Sequence, residues 1–386
     1  MKRSVITFVC IIAIGLFLPG MVFSGGKADK EGSEPAKAPS SSQAPAAAAS
    51  VPAETSLQDT QIVATIQIAP TIGKETIFRG QLKAEVERME KSARRSLSIE
   101  ERRQILDVMI NERLAVQAAE RDRVTVTENE LNQQIQQLRA GMVQAIGRQP
   151  TDAEFAQAIR NETGLELQAF REQLRRQLIV QRYLQVKKQS LFESIRIPTA
   201  QEITNTFNLA RAQFIRPDTV RFSMIQVPYG ADAAAKTRAK ELADRLFREI
   251  GSNTSRFDEV AARGQAANSG YQAGDGGFLP KTIDAQQIVG QEFINVAFSL
   301  RQGQVSKLIE GLRAYQIIKI TETHPMKNLE LDDIFQLGTR MTVRDYINGA
   351  MLQERQQAIL AQASQELVTE LRAGNTYQVI ESNLTW

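Results

Sequence analysis

The chain has 386 residues, of which 42% are hydrophobic, enough for two or three domains with apolar cores. Its 47 Lys and Arg nearly balance 44 Asp and Glu, which argues against nucleic acid as the main partner. One histidine, His324, and one cysteine, Cys10, exclude His-based catalytic triads and most transition-metal sites. Because the sequence also lacks a Gly-rich phosphate loop followed by Lys and Ser or Thr, we expect no nucleotide and no cofactor.

Residues 1–24 have the pattern of a secretory signal peptide. Lys2 and Arg3 precede the apolar run VITFVCIIAIGLFL, and Ser24 stands before the expected cleavage point. An uncleaved membrane anchor is the alternative interpretation. Cys10 lies inside the run, so the mature protein would carry no thiol. We therefore expect a protein that is exported to the periplasm.

Residues 25–58 are rich in Ala, Pro, Ser and Gly and poor in bulky apolar side chains. Such a segment buries too little surface to offset its ordering entropy, so we expect a disordered linker. It is either a spacer or a flexible arm that keeps the folded body near a membrane or wall.

A predominantly helical domain is expected over residues 59–216. It begins with a predicted strand, IVATIQI at 62–68, and its helices run to about residue 213. Four helix starts have the capping-box pattern, in which a Ser or Thr is followed three residues later by Glu. These pairs are Ser98 with Glu101, Thr127 with Glu130, Thr151 with Glu154, and Thr199 with Glu202.

Apolar stripes at helical spacing predict that these helices pack on one another. One stripe lies within RRQILDVMINERLAVQAAER and the other within LQAFREQLRRQLIVQRYLQ. Their members are Ile105, Met109, Leu114 and Val116 in the first, and Phe170, Leu174, Leu178 and Leu184 in the second.

A compact α/β unit of order βααβαββ is expected over residues 217–323. The strand TVRFSMIQV is followed by two amphipathic helices, a Gly-rich loop at 268–280, a helix at 291–300, and the strands QVSKLIE and YQIIKI. From Leu329 to about Gly374 the pattern is helical again, and the apolar stripe of this C-terminal part (324–386) needs the helical domain as its partner. The final TYQVIESNL is expected to add a strand beside IVATIQI.

The motifs FSMIQV, AGDGGFLP, EFINVAFSLRQGQVSKLIE and YQIIKI resemble the parvulin-type prolyl isomerase domain. Upstream, GKETIFRGQL and ILDVMINERLAVQAAERDRVTVTENEL resemble the helical domain of SurA- and PrsA-type chaperones. The resemblance covers most of residues 60–375. It implies an α+β fold in which a helical chaperone core carries an inserted parvulin-like domain.

Parvulins carry a polar cluster of two histidines and a Cys or Asp beside an apolar pocket for the proline ring. Carried over by position, the cluster falls on Met224, Ala266 and Gln316 in this chain. None of these side chains ionises, so the resemblance implies a degenerate site without catalytic residues. Gln316 is expected to be a structural or peptide-contacting amide.

The apolar pocket is kept in part. Phe293 matches the phenylalanine that stacks on proline, Val289 stands for a methionine, and Gly276 replaces a leucine. The predicted peptide-binding set is Met224, Phe278, Val289, Phe293 and Gln316. Phe293 as an ordinary core residue is an equally open interpretation. Asp275, between glycines, is expected to form a turn rather than to act as an acid.

The resemblance implies an ATP-independent chaperone that binds unfolded or proline-containing polypeptides, outer-membrane protein precursors among them. Two alternatives stay open. The protein is an active peptidyl-prolyl cis–trans isomerase that uses a reduced pocket, or it is a structural protein of the envelope.

Overall fold

The computed structural model describes residues 58–230, 232–251, 254–266 and 269–386. The expected signal peptide with Cys10, and the linker up to residue 57, lie outside the described residues. The contacts divide the chain into two units. One takes in the described residues up to Ile195 together with Arg355–Trp386, and the other is Arg196–Glu354. The predicted parvulin-like segment 217–323 lies wholly inside the second unit.

The first unit begins with a β-hairpin and continues as helices. Its elements are β1 (Ile62–Ile66), β2 (Glu75–Phe78), α1 (Arg79–Ala93), α2 (Ile99–Arg121), α3 (Glu128–Ile146), α4 (Asp152–Thr163), α5 (Leu167–Lys187) and α6 (Gln189–Glu193). The strand β2 was not anticipated from the sequence.

All four predicted capping boxes are confirmed. In each, the hydroxyl accepts a hydrogen bond from the backbone N–H of the glutamate three residues on, and the glutamate carboxylate accepts from the N-cap backbone. The first three boxes begin α2, α3 and α4, and the fourth begins α7 (Ala200–Ala210) in the second unit. Each cap satisfies two backbone N–H groups that have no partner inside the helix.

The helices of the first unit pack around two apolar cores. In α2 the fully buried stripe is Leu106, Ile110 and Leu114, while the predicted Ile105 and Met109 flank it and are half-buried. The helix α5 serves both cores. Its first half contributes Phe170, Leu174 and Leu178 to a core with α3 and α4, and its last turns contribute Leu184 to the core with α2.

The second unit is an α/β domain with additional segments. After α7 it consists of β3 (Ile215–Arg216), β4 (Thr219–Pro228), α8 (Ala233–Ile250), α9 (Thr254–Arg263), β5 (Gln272–Pro280), α10 (Ile283–Val289), α11 (Gln291–Ser299), β6 (Ile309–Glu310), β7 (Ala314–His324), β8 (Lys327–Asn328) and the first turns of α12 (Val343–Arg372). The antiparallel sheet has the order β5-β4-β7-β6. Apolar clusters lie on both of its faces, one with α10 and α11 and the other with α8 and α9.

The C-terminal part returns to the first unit. The later turns of α12 contribute Ala363, Leu367 and Leu371 to the core of that unit. The strand β9 (Tyr377–Val379) then pairs with β1, with Ala64 opposite Val379 and Ile66 opposite Tyr377, which gives a sheet of order β2-β1-β9. The prediction that TYQVIESNL adds a strand beside IVATIQI is confirmed.

Four sequence-based assignments need correction. The Gly-rich segment predicted as a loop forms the nine-residue strand β5, and the single helix expected near 291–300 is preceded by the short α10. The expected strand QVSKLIE is reduced to β6 and an isolated bridge from Val305 to Lys319. The C-terminal helix begins at Val343 and not near Leu329, because Gly338 adopts φ +81° and the backbone of Phe335 bonds Met341 (2.9 Å), which closes a turn instead of a helix.

Candidate functional site

The central strands β4 and β7 place the predicted polar positions on one face of the sheet. Because side chains alternate along a strand, Phe222 and Met224 on β4 share a face, as do Gln316 and Ile318 on β7. This face packs on α10 and α11, and Phe222, Ile318 and Phe293 belong to the buried cluster there. The cluster covers the face up to Met224, which is half-buried at its edge.

Met224 and Gln316 lie side by side. The Nε2 of Gln316 donates a hydrogen bond to the Met224 Sδ at 3.5 Å. The Oε1 of Gln316 is buried without a hydrogen-bond partner among the described residues. It rests against Gly311, where an added Cβ would overlap it, so the carboxamide is held between the thioether and the β6–β7 turn. The two positions that carry histidines in parvulins are thus adjacent here, as neutral groups.

Ala266, the third predicted position, lies outside β4 and β7, between α9 and β5. It lies in the turn after α9, where its backbone N–H donates to the Arg263 carbonyl at 3.2 Å, and its methyl group is exposed. The helix α9 packs on the opposite face of the sheet through Phe257 and Val260.

Phe293 lies in the core. Its side chain is 2% exposed, and its ring meets that of Phe222 in a T-shaped contact with 5.3 Å between centroids. Val289, the last residue of α10, is half-buried and packs against the same cluster. Phe293 therefore belongs to the cluster against which the half-buried Met224 and Val289 pack, and it offers no exposed ring to a ligand.

Phe278 is separated from the other predicted residues. It stands opposite Arg221 on β4, while its neighbour Leu279 enters the cluster of Phe293, so alternation puts Phe278 on the other face. There its ring contacts the Arg221 guanidinium (5.3 Å to the centroid) and the His324 ring (5.8 Å between centroids).

A network of charged side chains lies on the face of Phe278. Arg221 bonds Asp275 at 2.6 Å and Glu322 at 2.9 Å, and His324 lies 3.0 Å from Glu322. The hydrogen bond from Arg221 is the main reason that the pKa of Asp275 and that of Glu322 are both lowered. Asp275 also accepts from the Gly277 N–H at 2.9 Å, as a turn former would. These carboxylates are engaged on the face opposite Met224.

Two exposed apolar side chains near the junction of α10 and α11 escaped the sequence analysis. Ile288 on α10 is 76% exposed, and Leu312 in the turn between β6 and β7 is 66% exposed. Leu312 lies beside Gly290, at the junction of α10 and α11, where its Cγ would be 3.7 Å from an added Cβ. We call Ile288 and Leu312 the apolar rim. Apolar residues within a short helix and a turn look like core residues in the sequence, so their exposure could not be inferred.

Within the described residues, no group of three or more His, Cys, Asp or Glu could hold a metal ion. In the same part of the chain, no helix is both long and apolar enough to cross a membrane.

Two family models match the chain. The SurA-like N-terminal domain matches residues 55–184, and the PPIC-type PPIase domain matches residues 198–335. A chaperone SurA of Saccharophagus degradans is 29% identical over 223 residues, which are 57% of this chain and 48% of that protein. A chaperone SurA of Alcanivorax borkumensis is 30% identical over 227 residues, with 57% of this chain and 47% of that protein covered. The chain spans about half the length of the curated relatives it matches.

Solved structures give a weaker likeness. A SurA-like chaperone of Campylobacter jejuni has 11% identity and a TM-score of 0.35, covering 83% of this chain and 100% of that chain. PrsA of Bacillus subtilis has 17% identity and a TM-score of 0.26, covering 82% and 94%. Both TM-scores lie below 0.5, so the assignment rests on the family models and the sequence relatives. By these matches the chain carries a SurA-like N-terminal domain followed by a PPIC-type PPIase domain.

Proposed function

We propose that the protein is a periplasmic, ATP-independent holdase that binds unfolded envelope polypeptides, including outer-membrane precursors, with little or no isomerase activity. The observation that carries this proposal is the adjacent pair Met224 and Gln316, joined at 3.5 Å, at the positions where an isomerase of this family has histidines.

The chemistry of rotation explains why such a pair is a poor catalyst. Rotation about a peptide bond crosses about 18–20 kcal/mol, and a catalyst must bind the twisted bond more tightly than the planar one. A thioether has no hydrogen-bond donor with which to stabilise the twisted bond, and the Gln316 carboxamide is neutral, so neither side chain replaces a histidine. Phe293, at 2% exposure, cannot receive a proline ring without rearrangement of the core.

The apolar rim supports binding without catalysis. Ile288 and Leu312 are large aliphatic side chains left exposed near the junction of α10 and α11, where Val289 is half-buried. Exposed apolar surface that is grouped in this way is typical of an interaction site. Unfolded polypeptides offer the matching apolar side chains, and weak contacts at several places permit release without a nucleotide.

The signal-like sequence of residues 1–24 and the SurA relatives support a periplasmic location. Export is tested by fractionating cells that express the full chain. Recovery of the protein in the cytoplasmic fraction would contradict this part of the proposal.

The holdase proposal is tested by the aggregation of a denatured β-barrel protein, followed by light scattering after dilution from urea. We expect the unaltered protein to suppress aggregation, and Ile288→Ser with Leu312→Ser to weaken suppression severalfold, because two apolar contacts are lost. The matched control is Leu209→Ser, a leucine on α7 that is 92% exposed but distant in sequence from the rim. Failure to suppress aggregation at molar excess would refute the holdase function, and an equal loss in the control would refute the role of the rim.

An active peptidyl-prolyl isomerase is the second candidate, favoured by the PPIC-type match over 198–335. A protease-coupled assay with a proline peptide decides between the two. We expect no acceleration by the protein as it stands, and a gain in the double variant Met224→His with Gln316→His, since the two side chains are in contact. Acceleration that is lost on Gln316→Leu would establish the enzyme instead.

A further inference from the structure

Three glutamines form a row across the sheet on the face of Met224. Gln226 on β4 stands directly opposite Gln272 on β5 and directly opposite Gln316 on β7. Directly opposed residues of antiparallel strands project on the same face with Cβ atoms about 4.5–5.5 Å apart. Gln226 is two residues beyond Met224, so the row crosses the same face. We call Gln272, Gln226 and Gln316 the amide row.

The amide row lies where the covering helices end. The buried cluster under α10 and α11 includes Phe222 but reaches only to a half-buried Met224. Beyond it, Gln226 and Gln316 are half-buried and Gln272 is exposed. A ligand that approaches this end of the sheet therefore meets carboxamides instead of an apolar floor.

The row has hydrogen-bonding capacity to spare. The Gln226 Nε2 donates to the Gln272 Oε1 at 2.7 Å. Each carboxamide has two donor hydrogens and an oxygen with two lone pairs, so one shared bond leaves both side chains able to bond further. The Gln316 Nε2 donates to a sulfur, which is a weak acceptor, and the Gln316 Oε1 has no partner among the described residues. A stronger acceptor from a ligand would improve on the bond to sulfur, whereas the Oε1 is buried against Gly311.

We propose that the amide row binds the backbone of an extended client segment, whose side chains contact the apolar rim. This inference rests on the proposed holdase function and assigns its polar contacts. Neutral carboxamides have the same donors and acceptors as the peptide group and favour neither charge, so they suit a main chain of any sequence. The rim is continuous with the row, because Leu312 follows Gly311, against which the Gln316 carboxamide packs.

The experiment measures the affinity of the full chain for a fluorescein-labelled ten-residue peptide of alternating Val and Thr around one proline. Gln226→Met and Gln272→Met preserve side-chain length and remove the hydrogen-bonding groups. We expect each to weaken binding about fivefold to tenfold, the scale of one net hydrogen bond. The control is Gln302→Met, an exposed glutamine in the turn after α11, which should bind as the unaltered protein does.

A second peptide separates backbone recognition from general effects. In it, one residue beside the proline is joined by an ester, which removes a single backbone N–H. We expect the unaltered protein to bind the ester peptide severalfold more weakly than the amide peptide. At least one of the variants Gln226→Met and Gln272→Met should bind the ester peptide no more weakly than the amide peptide.

The outcomes distinguish the two proposals. If the unaltered protein does not bind the amide peptide, both the holdase function and the amide row are refuted. If it binds, and Ile288→Ser with Leu312→Ser weakens binding while Gln226→Met and Gln272→Met do not, the amide row alone is refuted. Equal sensitivity of every variant to the ester would also overturn it.

Discussion

In two of the capped helices, the glutamate at the third position accepts hydrogen bonds both from the N-cap backbone and from an arginine. The Glu101 carboxylate accepts from the Ser98 N–H at 2.8 Å and from Arg95 at 3.0 Å. Glu154 accepts in the same way from Arg148, which precedes the N-cap residue as Arg95 does. The hydrogen bond from the arginine, followed by the cap bond, lowers the pKa of each glutamate to about 2. The carboxylates are therefore stabilised as anions at the helix starts, where the helix dipole also favours negative charge.

This arrangement predicts a loss of stability in acid. Since the folded pKa is about 2 and the ordinary value is 4.5, the contribution is complete above about pH 4.5 and is lost as the pH falls through 2. Thermal unfolding of the unaltered protein and of Glu101→Gln with Glu154→Gln, from pH 6 to pH 2, measures it. We expect the variant to melt lower at pH 6 and the two midpoints to converge toward pH 2. A gap that stays constant with pH would mean that the charge contributes nothing.

The caps could be predicted from the sequence because they join residues three apart. The arginine partners could not be, and neither could the burial of Phe293 or the separation of Phe278 from Met224. The burial of Phe293 depends on how α11 docks on the sheet, and the separation of Phe278 from Met224 depends on how β5 pairs within it. Family resemblance located the position of Gln316, but its contact with Met224 and the support from Gly311 come from the fold.

Among the elements, β5 shows why a Gly-rich segment can be a strand. A Cβ at Gly276 would overlap the ring of Phe222 on the neighbouring β4, so this glycine makes room for a buried aromatic side chain. Gly274, two residues earlier, would meet nothing within 4 Å. Glycine disfavours strands when each residue is weighed alone, and only the pairing with β4 reveals the compensation.

The close packing of the Phe222 ring on Gly276 can be tested by a double-mutant cycle in urea denaturation. We expect Gly276→Leu to destabilise by overpacking and Phe222→Ala by a cavity, about 3–5 kcal/mol for the latter. Combined, they should cost less than their sum by about 0.5–3 kcal/mol, because the leucine fills the space of the ring. Gly274→Leu with Phe222→Ala is the control and should be additive. Additivity at Gly276 would contradict the proposed contact.

The segment before α12 has the sequence pattern of a helix but does not form one. Ile334, Leu337 and Met341 have helical spacing, yet they lie in turns before the helix begins. The start at Val343 is set by Thr342 and Asp345, whose side chains and backbone N–H groups bond reciprocally at 3.0 and 3.1 Å. Periodicity alone could not distinguish this segment from a helix, since the turn at Gly338 depends on its positive φ.

For the whole molecule, α12 is the element that both units share. The division falls between Glu354 and Arg355, so its first turns belong to one unit and its later turns to the other. In the first unit the later turns are fixed by Leu367 and by Lys188, whose ammonium group bonds Glu366 at 3.0 Å.

Breaking α12 at the division should affect the units unequally. Gln356 is exposed, so Gln356→Pro removes a helix bond and costs about 3 kcal/mol without disturbing a core contact. We expect hydrogen exchange to show lost protection at 363–371 and retained protection on β4 and β7. Gln357→Ala is the control and should change neither. An equal loss in both units would mean that they unfold as one.

The pairing of β1 with β9 has a consequence for the order of folding. Ile66 stands opposite Tyr377, so this sheet cannot close until almost the whole described chain has been synthesised. The unit Arg196–Glu354 is continuous in sequence and carries no such delay. Because distant pairings form slowly, we expect newly made chains to pass through a state in which the parvulin-type unit is folded and β9 has not yet paired with β1. The unit that contains β1 and β9 would then complete its folding last.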